Sequence, residues 1–176
     1  MLEKLPVDYL FGSGSIFIDV GSWDNIELSV TLASMGSVVF AIDRYQRMEE
    51  FKEKLLKAVD RGEIDPENAK KIHPMKADAN KLPFLDCSMD GVFFYYSTSW
   101  LQQFGSEILM VYKEVGRVLK EGGIVIISEP TVTRAKEQES FLKTQMKTNR
   151  IGTLVIGKKI EGNELPFKLE DKDSKS

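Results

Sequence analysis

The first apolar run of the chain and the turn that follows it hold the residues best suited to bind a polar ligand. The run Ile16–Ile18 leads into Asp19 and Gly21, and Asp24 stands three residues before Glu27, which is the spacing of a helix capping box. This pattern predicts a strand, a tight turn and a helix start. In an open α/β sheet such a turn lies at the carboxyl end of a strand, where ligands bind. Amides at the following helix N-terminus favour anionic or strongly polar ligand groups there.

The composition limits the classes of protein and of site. The 176 residues are 42% apolar and 29% charged, which is typical of a globular protein, and we predict one domain over 1–169 and a disordered tail over 170–176. The net charge of −3 argues against a dedicated nucleic-acid binder. Cys87 and His73 are single residues of their types, which excludes an internal disulfide and a Cys/His metal cluster. Because no apolar run could span a bilayer and no signal peptide pattern opens the chain, we predict a cytoplasmic protein with no membrane partner.

Strand-like and helix-like segments alternate along the chain. The predicted strands are Ile16–Ile18, Val38–Ile42, Ile72–Ala77, Val92–Tyr96, Ile124–Ile127 and, as a last candidate, Thr153–Ile156. The predicted helices follow Asp24, span 48–58, begin at Asp65, span 108–118 and span 135–147. The fourth strand is apolar throughout and is predicted to be fully buried.

The alternation predicts a doubly wound, mostly parallel α/β sheet with helices on both faces. Pro74 has no N–H to donate to a strand ladder, so the third strand should lie at an edge. An edge position fits the strand order 3-2-1-4-5, with one or two strands added at the C-terminus. This order places the switch point between strands 1 and 4, and the ligand crevice over Gly21 and Tyr95.

Two longer blocks resemble a known family. Residues 78–92 read Asp-Ala-Asn-Lys-Leu-Pro-Phe-Leu-Asp-Cys-Ser-Met-Asp-Gly-Val, and residues 113–130 read Lys-Glu-Val-Gly-Arg-Val-Leu-Lys-Glu-Gly-Gly-Ile-Val-Ile-Ile-Ser-Glu-Pro. Both are similar to blocks of the class I S-adenosylmethionine-dependent methyltransferases, and most of all to the branch that acts on quinones and other small molecules. The likeness covers residues 15–130. The dinucleotide-binding pattern G-x-G-x-x-G is absent from the chain.

The resemblance implies S-adenosylmethionine as the cofactor. Asp43 matches the family's acid that accepts hydrogen bonds from both ribose hydroxyls, and Asp78 matches the acid that accepts from the adenine amino group. The full set of implied cofactor-binding residues is Asp19, Gly21, Ser22, Trp23, Asp43, Arg44, Asp78, Ala79 and Tyr95. Tyr96 and Trp100 are predicted to contact the substrate. We predict no metal and no catalytic side chain, because a sulfide is a good leaving group and alignment with desolvation can carry the reaction.

The chain departs from the family in its first motif and at its ends. Trp23 and Asn25 stand where the family has the second and third glycines of Gly-x-Gly-x-Gly. The indole would either turn aside and wall the pocket or fill the place of the methionine moiety. The family's N-terminal helices and its closing hairpin are replaced by a short lead-in, 1–14, and one convincing strand. We therefore expect a fold truncated at its N-terminus, whose open site would be covered by a partner chain or in a homodimer.

Three functions fit these observations. The favoured one is a methyltransferase with a small-molecule acceptor. The second is an inactive methyltransferase-like domain that binds or regulates, which Trp23, Asn25 and the uncovered site favour. The third is a nucleic-acid methyltransferase, which the acidic net charge disfavours. It draws on the basic residues of the C-terminal third: Arg134, Lys136, Lys143, Lys147, Arg150, Lys158 and Lys159.

Overall fold

Seven strands form one sheet in the computed structural model, which describes residues 13–44, 48–103 and 107–160. The sheet order is β3-β2-β1-β4-β5-β7-β6, in which β1 to β5 are mutually parallel and β7 is antiparallel to both β5 and β6. The predicted order 3-2-1-4-5 and the edge position of β3 are confirmed. The strands are β1 Ile16–Val20, β2 Val38–Asp43, β3 Ile72–Lys76, β4 Met89–Tyr95, β5 Leu119–Ser128, β6 Lys147–Ile151 and β7 Leu154–Lys158.

Helices follow most of the strands and cover both faces of the sheet. They are α1 Glu27–Ser34, α2 Met48–Asp60, α3 Pro66–Ala69, α4 Thr98–Gln103, α5 Ile108–Val118 and α6 Val132–Leu142. Asp65 caps α3 as predicted, because its Oδ1 accepts a hydrogen bond of 2.8 Å from the Glu67 amide. No helix in the described part of the chain is both long and apolar enough to cross a membrane.

The core has two parts because successive residues of a buried strand point to opposite faces of the sheet. In β1, Ile18 and Val20 belong to one cluster and Phe17 to the other. The first cluster includes buried residues of α5 and α6, and the second includes buried residues of α1 and α2. The sheet is therefore packed on both sides, and its carboxyl edge remains available for a ligand.

The capping of α1 and the burial of β4 differ from prediction. Asp24 does not cap α1: its carboxylate accepts from Lys54 Nζ at 2.6 Å, and Asn25 Oδ1 accepts from the Glu27 amide instead at 2.9 Å. The prediction of a fully buried fourth strand is wrong at its end, since Tyr95 and the residue that follows it are exposed.

The C-terminal hairpin is complete, although only its second strand was predicted. β6 pairs with β7 and lies at the outer edge of the sheet. Helix α6 is also displaced from the predicted 135–147, since it begins at Val132 and ends at Leu142. Most of the predicted lead-in, 1–12, and the whole predicted tail, 170–176, lie outside the described residues.

Candidate functional site

A cavity of about 550 Å³ lies at the carboxyl ends of β1, β2 and β4. Its wall comes from the loops after β1 and β2, the segment after β3, and the segment that joins β4 to α4. This is the crevice predicted from the strand order. All of the predicted site residues except Asp19 line it, namely Gly21, Ser22, Trp23, Asp43, Arg44, Asp78, Ala79, Tyr95, Tyr96 and Trp100.

The turn after β1 is fixed between β2 and the segment after β4. The amides of Gly21 and Ser22 both donate to the Ile42 carbonyl, at 2.8 and 3.2 Å. Gly21 has φ +73°, and a Cβ at this position would lie 2.5 Å from Ser97 Cβ. Glycine is therefore required here both by the backbone conformation and by the close approach of the two segments.

Trp23 has a backbone conformation that suits glycine. Its φ is +49°, in the left-handed region that non-glycine residues seldom occupy. The Asn25 amide closes the turn on the Ser22 carbonyl at 2.9 Å. The indole is 45% exposed and forms part of the cavity wall, and the cavity beside it stays open. This arrangement favours the first of the two alternatives, an indole that walls the pocket.

Asp43, the last residue of β2, and Asp78, in the segment after β3, bring two carboxylates to the cavity. Arg44 donates to Asp78 Oδ2 in an ion pair, and the Asn80 amide donates to Asp78 Oδ1 at 2.9 Å. Partial burial raises the pKa of Asp78, but the hydrogen bonds from Arg44 and Asn80 outweigh it, and the net pKa is lowered. Asp78 is thus an ionised acceptor at neutral pH.

Asp19 lies beneath the turn and outside the main wall. It is 2% exposed, and the Ser29 hydroxyl donates to its Oδ2 at 2.9 Å. Burial raises its pKa to about 7, against the smaller lowering effect of that hydrogen bond. A small recess connects its surroundings to Ser22 and Tyr95. Its direct contact with a cofactor stays a prediction.

The rings of Tyr95 and Tyr96 lie against each other at the mouth of the cavity, with an interplanar angle of 33°. Their ring centroids are 4.4 Å apart, and Tyr96 adopts a left-handed φ of +54°. Burial, followed by the charges of Tyr96 and Glu27, raises the pKa of Tyr95 above its usual value. The Tyr95 phenol is therefore neutral at physiological pH and does not suit the role of a base.

A buried acid that the sequence analysis did not single out holds α4 in place. Glu129 accepts from the Thr98 hydroxyl, and Arg134 Nε lies 3.4 Å from its second carboxylate oxygen. Arg134 also donates to Gln102 Oε1 at 3.0 Å. Because α4 carries Trp100, this network positions one wall of the cavity.

The cavity wall contains two polar atoms that have no protein partner in the described part of the chain. Ser22 Oγ and Ser97 Oγ are buried and make no hydrogen bond there. A buried hydroxyl left unpaired costs roughly 1–3 kcal/mol, so a polar ligand would relieve this cost. Ser97 was not predicted, although its place just after the tyrosines at the switch point could have indicated it. These hydroxyls and the two carboxylates fit a cofactor with an amino-acid group, sugar hydroxyls and a purine amine.

Solved structures share this fold at low sequence identity. An S-adenosylmethionine-dependent methyltransferase from Methanosarcina mazei matches with a TM-score of 0.64 and 17% identity, covering 89% of this chain and 98% of that one. A second, from Aquifex aeolicus, matches with a TM-score of 0.60 and 20% identity, covering 89% and 93%.

A third match is a chain of the complex that contains the Trm112 methyltransferase activator of Haloferax volcanii, with a TM-score of 0.65 and 13% identity, covering 90% and 87%. A search of curated protein sequences finds no match. The family model described as a methyltransferase domain matches residues 18–127, which is more than half of the chain. The chain therefore belongs to the methyltransferase-domain family, within the class I S-adenosylmethionine-dependent methyltransferases, and its cofactor is S-adenosylmethionine.

Proposed function

We propose that this protein is an active methyltransferase that transfers a methyl group from S-adenosylmethionine to a small-molecule acceptor. The observation that carries the proposal is the joint placement of Asp43, Asp78 and the Gly21 turn around one cavity. The cavity volume of about 550 Å³ is in the range of small-molecule sites.

The chain's own residues would bind the cofactor in three places. Asp43 suits a vicinal diol, because a carboxylate can accept two hydrogen bonds at once. Asp78 accepts three hydrogen bonds from Arg44 and Asn80, which leaves a lone pair on Oδ2 that can accept from an exocyclic amine. The hydroxyls of Ser22 and Ser97 would bind the polar amino-acid end.

The acceptor side needs alignment and the exclusion of water more than acid–base chemistry. When bound, the sulfonium supplies an electrophilic methyl group and a neutral sulfide as leaving group. Tyr96 and Trp100 form the wall on this side and would exclude water from a flat or apolar acceptor. His73 lies on β3 with its ring 5.3 Å from the ring of Phe40, and it does not line the cavity.

Calorimetric titration with S-adenosylmethionine and with its demethylated product tests the proposal. We expect both to bind, and we expect Asp43→Ala to weaken binding by at least about ten-fold, because charge-assisted hydrogen bonds to the ribose are lost. Asp60→Ala, on the exposed end of α2, is the matched control and should bind as the wild type does. Release of the demethylated product during incubation with an acceptor would demonstrate turnover.

The second candidate is an inactive methyltransferase-like binding domain. It is favoured by the indole of Trp23 in the cavity wall and by the exposed aromatic side chains at the cavity mouth. Failure of the wild type to bind the cofactor, with binding restored by Trp23→Gly, would support this candidate and contradict the proposal.

The basic C-terminal third gives little support to a nucleic-acid acceptor. Several of its cations are engaged in ion pairs, with N–O distances of 2.8 to 3.5 Å. These pairs are Arg134 with Glu129, Lys143 with Glu139, Arg150 with Glu139 and Lys159 with Glu121. An RNA affinity that falls steeply with salt would reverse this assessment.

The remaining parts of the proposal concern assembly and location. We place the catalytic domain at 1–169 and its site of action in the cytoplasm. We also propose that a second copy or a partner chain covers the cavity mouth, where Trp23 and Trp100 are exposed. Light scattering with and without S-adenosylmethionine would detect a second copy as a doubling of mass.

A further inference from the structure

The aromatic side chains of this protein have an uneven surface distribution. In the described residues, every Phe, Tyr or Trp side chain that is largely exposed also lines the cavity. The exposed fractions are 45% for Trp23, 42% for Tyr95, 44% for Tyr96 and 58% for Trp100. We call these four side chains the aromatic rim. Aromatic faces bind flat rings by stacking and bind cations through their negative faces.

Among the described residues, the charged groups that line the cavity are predominantly negative. Asp24, Asp43 and Asp78 line the cavity, against one lining guanidinium, that of Arg44. Counting Lys54, which reaches Asp24 from α2 at 2.6 Å, one negative charge remains in excess among these groups. Such surroundings favour a neutral or cationic acceptor and disfavour a phenolate or a carboxylate.

The described cavity wall also lacks a group suited to remove a proton from the acceptor. Asp43 and Asp78 are assigned to the cofactor, and Asp24 is in the ion pair with Lys54. The pKa of the Tyr95 phenol is raised, and the Tyr96 ring lies against it with centroids 4.4 Å apart and an interplanar angle of 33°. An acceptor atom that already carries an available lone pair would need no base.

We propose that the acceptor is a flat heteroaromatic molecule, methylated on a pyridine-type ring nitrogen and held by the aromatic rim. The nitrogen lone pair forms a bond to the methyl carbon as the carbon–sulfur bond breaks, and that bond's electron pair stays on sulfur. The sulfonium becomes a neutral thioether and the ring nitrogen becomes cationic, so no proton moves. One positive charge is present before and after transfer, which suits the aromatic faces and the excess negative charge throughout.

This inference rests on the proposed function, and its first test needs no turnover. Titrations in the presence of saturating demethylated cofactor would compare N-methylquinolinium with quinoline, its neutral counterpart at neutral pH. We expect the cation to bind at least about ten-fold more tightly. Trp100→Leu should reduce this preference to less than about three-fold, and Trp100→Phe should preserve it. Leu56→Ala, an exposed apolar change on α2, is the control and should leave both affinities unchanged.

The second test follows labelled methyl transfer to quinoline and to 1-naphthol, a phenol of similar size. Methylation of the quinoline nitrogen at a rate at least about ten-fold above that of the naphthol oxygen supports the inference. Cofactor binding combined with methylation of naphthol alone overturns the inference and leaves the proposed function standing. If neither quinoline nor 1-naphthol is methylated, the binding test decides. Tighter binding of N-methylquinolinium than of quinoline supports the inference, and equal binding of the two overturns it. If the cofactor itself does not bind, the proposed function fails and the inference fails with it.

Discussion

Trp23 is a large side chain at a backbone position that suits glycine. Its φ of +49° costs a non-glycine residue roughly 1–2 kcal/mol. We therefore expect Trp23→Gly to be more stable than Trp23→Ala by about 1 kcal/mol in denaturant unfolding, because both variants remove the ring and differ in tolerance of positive φ.

The control pair for this prediction is Trp100→Gly and Trp100→Ala. Trp100 lies in helix α4, where alanine should be the more stable of the two by about 1 kcal/mol. The same order of stability at both positions would contradict the assignment of a left-handed backbone to Trp23.

Asp19 should make the stability of the protein depend on pH. The pKa of Asp19 is about 7 in the folded state, against a reference value of 3.8 for the unfolded chain. At pH values between these two, the folded state therefore holds a proton that the unfolded state has lost. The free energy of unfolding should therefore fall as pH rises from about 4 to about 7, with an upper limit of roughly 4 kcal/mol for this group.

Asp19→Asn keeps the shape of the side chain and removes the titration. The free energy of unfolding of Asp19→Asn minus that of the wild type should increase with pH across that range. Urea denaturation of both proteins at a series of pH values measures this difference. Parallel stability curves for the two proteins would show that Asp19 does not titrate there.

At the scale of elements, the contact between the β1 turn and the segment after β4 should be intolerant of any added atom. Gly21→Ala would place a Cβ 2.5 Å from Ser97 Cβ and would also strain the backbone. We expect a loss of about 2–4 kcal/mol in the free energy of unfolding, together with weaker cofactor binding.

Gly152→Ala is a matched control for this change. Gly152 also has a positive φ, of +63°, but nothing lies within 4 Å of the added Cβ. It should lose only about 1 kcal/mol and keep cofactor affinity. Equal losses at the two positions would show that backbone conformation, and not the close approach, determines the effect at Gly21.

Of the parallel strands, β1, β2, β4 and β5 could be predicted because their apolar runs are signals of burial on both faces. β6 could not, because Lys147–Ile151 is a polar sequence whose alternate residues are exposed, and it is a strand only through its pairing with β7. The prediction that Asp24 caps α1 is wrong for a similar reason. Asp24 has the right spacing, but a lysine of α2 distant in sequence binds its carboxylate. In both cases, contacts formed in the folded protein determine the local structure, and the local sequence pattern does not.

Most of the cavity lining could be predicted from the strand order and from the family resemblance together. The strand order places the crevice over Gly21 and Tyr95, and the resemblance identifies Asp43 and Asp78. The ion pair of Arg44 with Asp78 and the support of α4 by Glu129 could not be read from the chain. Both join residues that are about 30 positions apart, and neither spacing corresponds to a known local motif.

For the whole molecule, cofactor binding should raise thermal stability. A ligand at 100 times its dissociation constant stabilises the folded state by about 2.7 kcal/mol, which for a protein of this size is about 5–10 °C in Tm. We expect this shift with S-adenosylmethionine in differential scanning fluorimetry, and we expect Asp43→Ala to lose most of it. An unchanged Tm for the wild type at millimolar ligand would contradict the proposed cofactor site.

The outer edge of β3 has a consequence for self-association. The Val39 amide donates to the Lys71 carbonyl and the Ala77 amide donates to Asp43, so alternate residues of β3 face β2 and the nitrogen of Pro74 faces outward. A strand from another chain that approached this edge would find no N–H donor at Pro74. At the opposite edge, Lys147 and Arg150 place cations along β6. Both margins of the sheet are thus poor templates for edge-to-edge fibril growth.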